Sequence, residues 1–137
     1  MDGSFKFNVV LSNCNEIFFT SITSSENIFV SKKENGTWST PKIASFSDPN
    51  YNDADPFLSS DSEIMYFISK RPTSKDDQNL DFNIWFAKRN DRGWSSPKPL
   101  PAPINSDESD EYMFSVSDSG NAYFSSNRSG GNGSFDI

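Results

Sequence analysis

The chain has 137 residues and a net charge of −7, with no histidine and one cysteine, Cys14. The length suits one domain with a core of its own, and the charge argues against general binding to nucleic acid or an anionic membrane. Without histidine there is no Ser-His-Asp or Cys-His catalysis and no imidazole zinc site within the chain, and a lone cysteine forms no internal disulfide. No apolar run reaches the roughly 18 residues of a membrane-spanning helix. The opening MDGSFKFNVVL lacks the basic region and apolar run of a signal peptide. Aromatic residues reach 15% although hydrophobic residues are only 34%, a mix that favours strands over disorder.

In chain order the predicted elements are short strands in three copies. The first copy, about 5–47, has strands at Phe7–Leu11, Glu16–Ser21, Asn27–Lys32 and Thr37–Ala44. The second, about 53–101, has them at Ala54–Leu58, Glu63–Ser69, Phe82–Lys88 and Gly93–Leu100. The third, about 110–137, has them at Glu111–Ser115, Asn121–Ser126 and Phe135–Ile137. Ser12–Ser21 matches Ser60–Ser69 at an offset of 48, and that block matches Ser117–Ser126 at 57. Asn27–Lys32 matches Asn83–Lys88 at 56, as Trp38–Lys42 matches Trp94–Lys98. The jump from 48 to 56 places eight extra residues around Arg71–Leu80, a polar stretch that reads as a loop. Asn35-Gly36 is a two-residue hairpin signal, and Asn90–Gly93 takes its place one copy later. Asp61-Ser62 and Asp118-Ser119-Gly120 mark the turns between first and second strands.

Ile64–Ile68 and Ile84–Ala87 are continuously apolar. A strand of that kind is covered on both faces. Four-stranded antiparallel units at this spacing, stacked face to face, are the blades of a β-propeller. The expected fold is therefore all-β: a β-propeller fragment of about two and a half to three blades, from a ring of six or more whose remaining blades belong to a longer chain.

Pro56–Asp61 followed by Ile64–Phe67, and Phe114–Gly131 closing on Ser134–Ile137, resemble the WD40-like repeat of TolB-type propellers. The linker Trp94–Ser106 is similar to the form common in bacterial envelope proteins, often beside peptidoglycan-binding domains. In the first copy Asn13-Cys14-Asn15 stands where the family prefers Asp-Gly. The resemblance implies a periplasmic or secreted binding or scaffold module that docks proteins or cell-wall components.

The acidic run Asp107-Glu108-Ser109-Asp110-Glu111, with Asp118, and Asp53 and Asp55 in the copy before, offers oxygen ligands for calcium. The alternative is that Asp55 and Asp110 or Glu111 hold backbone amides. Asp61, Asp118 and Asp136 stand at the family's aspartate positions. Read as chemistry they are acid–base carboxylates. Their recurrence in every copy instead favours turn hydrogen bonds. Arg71 and Arg128 follow the second strands, and are read either as a pair facing a channel to hold an anion or as partners of an aspartate in a neighbouring blade. Trp38 and Trp94 are expected to pack between outer strands. The Gly-rich Ser129–Gly133 lacks the Lys and helix of a phosphate loop. The alternative function is a propeller enzyme acting on glycans, sialidase- or lyase-like, or the propeller of a serine peptidase. Asp118-Ser119-Gly120 resembles the sialidase Asp-box, with Val116 where that motif has Ser or Thr.

Overall fold

The computed structural model describes residues 5–22, 24–107 and 109–137. Its elements are strands only: β1 Phe5–Leu11, β2 Glu16–Ile22, β3 Glu26–Glu34, β4 Thr37–Trp38, β5 Lys42–Ile43, β6 Asp53–Leu58, β7 Ile64–Ser69, β8 Asn83–Asn90, β9 Gly93–Trp94, β10 Lys98–Pro99, β11 Glu111–Val116 and β12 Ala122–Ser126. They form antiparallel blades of one pattern. In the first, β1-β2-β3 carries β4 and β5 on its outer edge; in the second, β6-β7-β8 carries β9 and β10; in the third, β11 pairs with β12. A bridge from Ser126 to Asp136 begins the third strand of that last blade.

In the first two blades the fourth strand is split in two where the sequence suggests one continuous strand. The reason is the Ser-x-Pro that follows Trp38 and Trp94. Ser39 Oγ accepts the Lys32 amide at 3.1 Å and Ser95 Oγ accepts the Lys88 amide at 3.0 Å. A side chain thus replaces a ladder carbonyl, and Pro41 and Pro97 have no N–H to continue the ladder. The chain steps out and re-pairs through β5 and β10. The Asn35-Gly36 hairpin forms as expected, with φ of 50° and 81° at its two residues, the left-handed pair that a primed turn requires.

Register also corrects the alignment of the copies. Val10 faces Phe18, Phe57 faces Tyr66 and Ser115 faces Tyr123. The turn of the second blade is therefore one residue longer than the turns of its neighbours, with Ser62 at φ 64°. The same serine position caps all three turns: the Ser12, Ser59 and Ser117 hydroxyls accept the amides of Glu16, Ile64 and Asn121.

The blades stack through alternating side chains. Phe18, Ile28 and Val30 of the first blade meet Met65, Phe67, Trp85 and Ala87 of the second, with Phe46 of the linker between them. The opposite face of the second blade gives Ile68 and Ile84 to a cluster with Phe114, Val116 and Phe124 of the third. The middle blade is covered on both sides, which accounts for its unbroken apolar strands.

Candidate functional site

Two clamps of one design fasten the second and third blades. Register pairs Asp53 with Ser69 and Glu111 with Ser126, and an arginine stands two residues beyond each serine. Arg71 Nη2 lies 2.6 Å from Asp53 Oδ2, Nε donates to Ser69 Oγ at 2.9 Å, and Nη2 reaches the Phe46 carbonyl at 3.4 Å. Arg128 does the same with Glu111 Oε1 at 3.0 Å, Ser126 Oγ at 2.9 Å, and the carbonyls of Pro103 and Ile104 at 2.8 and 2.7 Å. The guanidinium fork suits the task, since its donors reach the blade's acid, its serine and the incoming linker at once. Both acids are 0% exposed. Burial pushes the Asp53 carboxyl up, and Arg71, then Ser69, pulls against that rise.

These contacts correct both readings of the arginines. Each acid belongs to the arginine's own blade, because the antiparallel register returns the second strand to the start of the first. The ion pair and the linker carbonyls occupy donors that an anion would use. An ion pair between blades does exist, on a residue the sequence reading passed over. Arg89 Nη2 lies 2.8 Å from Glu16 Oε2, Lys32 Nζ lies 2.8 Å from Glu16 Oε1, and the Arg89 guanidinium sits 4.4 Å over the Trp94 ring. Burial tends to raise Glu16, but hydrogen bonds from Lys32 and Arg89 outweigh it and hold the carboxyl below its usual value.

A second feature lies where the first strands bulge. Asn8, Asp55 and Met113 have φ of 51°, 51° and 52°, each inside a register shift of its strand. The three bulges line one cavity of about 280 Å³ with Val9, Pro56, Phe57 and Phe114. Asn8 Nδ2 donates to Asp55 Oδ1 across the first two blades. Burial raises the Asp55 carboxyl, and the Asn8 bond opposes it. Tyr112 beside the third bulge is pushed up to about 12 by burial and by the charges of Asp110, Glu26 and Asp55. Asp55 thus pairs with a side chain, and among the described residues its carboxylate holds no backbone amide. Sequence offered one hint, since Asn and Asp tolerate left-handed geometry; Met113 gave none.

A third feature is a polar cleft of about 520 Å³ between the loop inserted in the second blade and the linker to the third. Asp77 shapes the loop by accepting the Thr73 amide at 2.7 Å and the Asn79 amide at 2.9 Å, and Asn79 Nδ2 donates to the Asp107 carbonyl across the cleft mouth. Asp76, Asp77, Asp81 and Asp107 line it together with Asn83. Burial, then the charges of Asp77, Asp110 and Glu111, raises the Asp81 carboxyl, against its own backbone.

The acids expected to gather around calcium do not converge. Asp107 lines the cleft. Asp110 accepts the Phe82 amide at 2.8 Å. Glu111 is held by Arg128 and by Ser106, whose hydroxyl lies 2.8 Å away. Asp118 is exposed in the turn at the far end of β11. Glu108 lies outside the described residues. Among the described residues no group of three or more His, Cys, Asp or Glu is disposed to hold a metal ion. Asp61 accepts the Ser59 hydroxyl at 2.6 Å and the Glu63 amide at 3.0 Å, and Asp136 accepts the Gly133 amide at 3.0 Å. Trp94 packs edge-on against Phe18 of the first blade and Phe46 of the linker. Trp38 is 41% exposed, because no described blade covers the side on which Trp94 packs.

Comparison with family models, with curated proteins and with solved structures finds no match for this chain.

Proposed function

We propose that the chain is part of a non-catalytic TolB-type, WD40-like propeller of the bacterial envelope, periplasmic or secreted, that binds proteins or peptidoglycan-associated components. The rest of its ring is supplied by further blades of a longer chain. The observation that supports this most is how the charged side chains are used. Arg71, Arg89 and Arg128 are committed to acids that brace the blades. Asp76, Asp107 and Asp118 are exposed, and among the described residues their carboxylates form no ion pair. A rigid stack with an acidic surface steers basic partners and selects among them by charge.

The test is cosedimentation of the purified chain with peptidoglycan sacculi carrying their attached proteins, over a salt series, with release of reducing ends measured in the same tubes. The expected result is binding that weakens as salt rises, with no release. Turnover that disappears on replacing a single carboxylate would establish the glycan-processing enzyme in its place.

A further inference from the structure

The cleft beside the inserted loop has features that the blade repeat does not explain. Asn83 is 3% exposed and lines the cleft, and its amide side chain forms no hydrogen bond among the described residues. Asp81 also lines the cleft, and its Oδ2 is buried without a partner. A buried polar atom left unpaired is costly, the more so on a charged group. Asp81 Oδ2 is such an atom, and Asn83 stands two residues on, at the start of β8. Around them Asp76 and Asp107 add negative charge, and among the described residues no Lys or Arg lines the walls. The loop that walls the cleft is longest in the second blade: thirteen residues separate the paired Ser69 and Asn83, against nine between Ser126 and Asp136 and five between Ser21 and Asn27.

We propose that this cleft binds an organic cation, the guanidinium group of an arginine side chain on a basic peptide. The proposal rests on the reading of the chain as a binding module. The volume, about 520 Å³, lies within the ~300–1,000 Å³ of small-ligand sites. A guanidinium presents five donors in a planar fork, and the free acceptors here are the Asp81 carboxylate and the Asn83 carbonyl oxygen. A hard metal ion is the poorer fit. Calcium takes about 6–8 oxygen ligands in a tight shell, and among the described residues no acidic group has that disposition.

The experiment is a titration of the full chain, followed by amide chemical shifts, with N-acetyl-arginine amide, its neutral isostere N-acetyl-citrulline amide, and calcium chloride. The expected result is saturable shifts in residues 73–83 and 99–107 with the arginine compound only. Binding falls about tenfold in Asp81→Asn, the loss of one charge-assisted contact. Asp107→Asn, at an exposed position that the fold does not need, weakens binding by a smaller factor and keeps the test usable if Asp81→Asn unfolds. Equal binding of the citrulline compound, shifts with calcium alone, or no saturation at about 10 mM ligand would each overturn the proposal. Sacculus binding is scored separately on the same variants. If it persists while the arginine compound fails, the cleft assignment falls and the binding-module reading stands.

Discussion

The two contacts between blades are built differently. Between the first and second blades lies a deep aromatic core, with the Phe46 ring centroid 5.3 Å from that of Phe67 and Trp94 edge-on to both Phe18 and Phe46. The Glu16–Arg89 ion pair ties the rim of that contact. Between the second and third blades the cluster holds fewer fully buried side chains, and its ring contacts are Phe114 against Tyr66 and Phe57 and Tyr112 against Phe82. There the ties run along the backbone: the Glu111 amide donates to the Phe82 carbonyl at 2.7 Å, and Asp110 accepts the Phe82 amide. A contact of buried rings draws its strength from area and close packing. A contact of amides draws less net free energy and more geometric definition. The first interface therefore carries most of the stability, and the second sets the pitch of the next blade.

The sharpest way to break that contrast is to delete a ring on each side. Phe67→Ala, at a position 0% exposed, is expected to cost about 3–5 kcal/mol, and Phe114→Ala less, since it is 6% exposed and sits in the smaller buried cluster. Urea unfolding of the two variants measures the difference, and equal losses would erase the distinction.

The clamps come next. Arg71→Ala leaves Asp53 buried and unpaired, with an expected loss of about 3–5 kcal/mol. Arg128→Ala costs less, because its guanidinium is the more exposed of the two. Arg71→Lys does not restore stability, because an ammonium cannot reach acid, serine and linker together. Thermal melts of the three variants order these effects.

Arg89→Ala is milder, about 1.5–3 kcal/mol, since Lys32 still faces Glu16. Its signature is in the pH dependence. Glu16 is held below its usual 4.5, so its contribution is fully present above that pH and is lost as pH falls through the depressed value. In the variant this acid limb shrinks, as a stability profile from pH 6 downward reveals.

The smallest effect is a gain. Burial raises the Asp55 carboxyl above its usual 3.8. Its contribution is therefore greatest below that pH and is lost as pH rises through the raised value. Asp55→Asn removes the buried charge and keeps a partner for Asn8, so the melting temperature rises at neutral pH and is unchanged in acid. A fall at neutral pH would mean that the ionised Asp55–Asn8 bond outweighs burial.

The strands and their order were legible because aromatic alternation, Asn-Gly and Asp-Ser turns and the repeat offsets all point to the same blades. The split fourth strands were not, because a serine hydroxyl in place of a ladder carbonyl looks in sequence like any polar residue in a strand. The longer turn of the second blade was hidden by the likeness of Ser12 and Ser60, although it is Ser59 that caps the turn. Arg71 and Arg128 stood out, but choosing their acids needed the register, which only paired strands supply. Asp53 and Glu111 differ in residue type and so concealed that they do one job. The first blade shows the same limit from the other side: Lys6 faces Ser21 where the later blades place an acid, and Thr23, at the arginine's place, lies outside the described residues. The cleft was out of reach altogether, since it joins a loop to a linker some thirty residues away and nothing in either points to the other.

Native-state hydrogen exchange tests the central claim most directly, that the middle blade is the cooperative heart of the stack and the third blade its weakly held edge. The account predicts the slowest amides in β7 and β8, intermediate ones in β2 and β3, and the fastest strand amides in β11 and β12, with exchange there through local opening. Protection of β11 and β12 equal to that of β7 and β8 would contradict it and show the three blades opening as one unit.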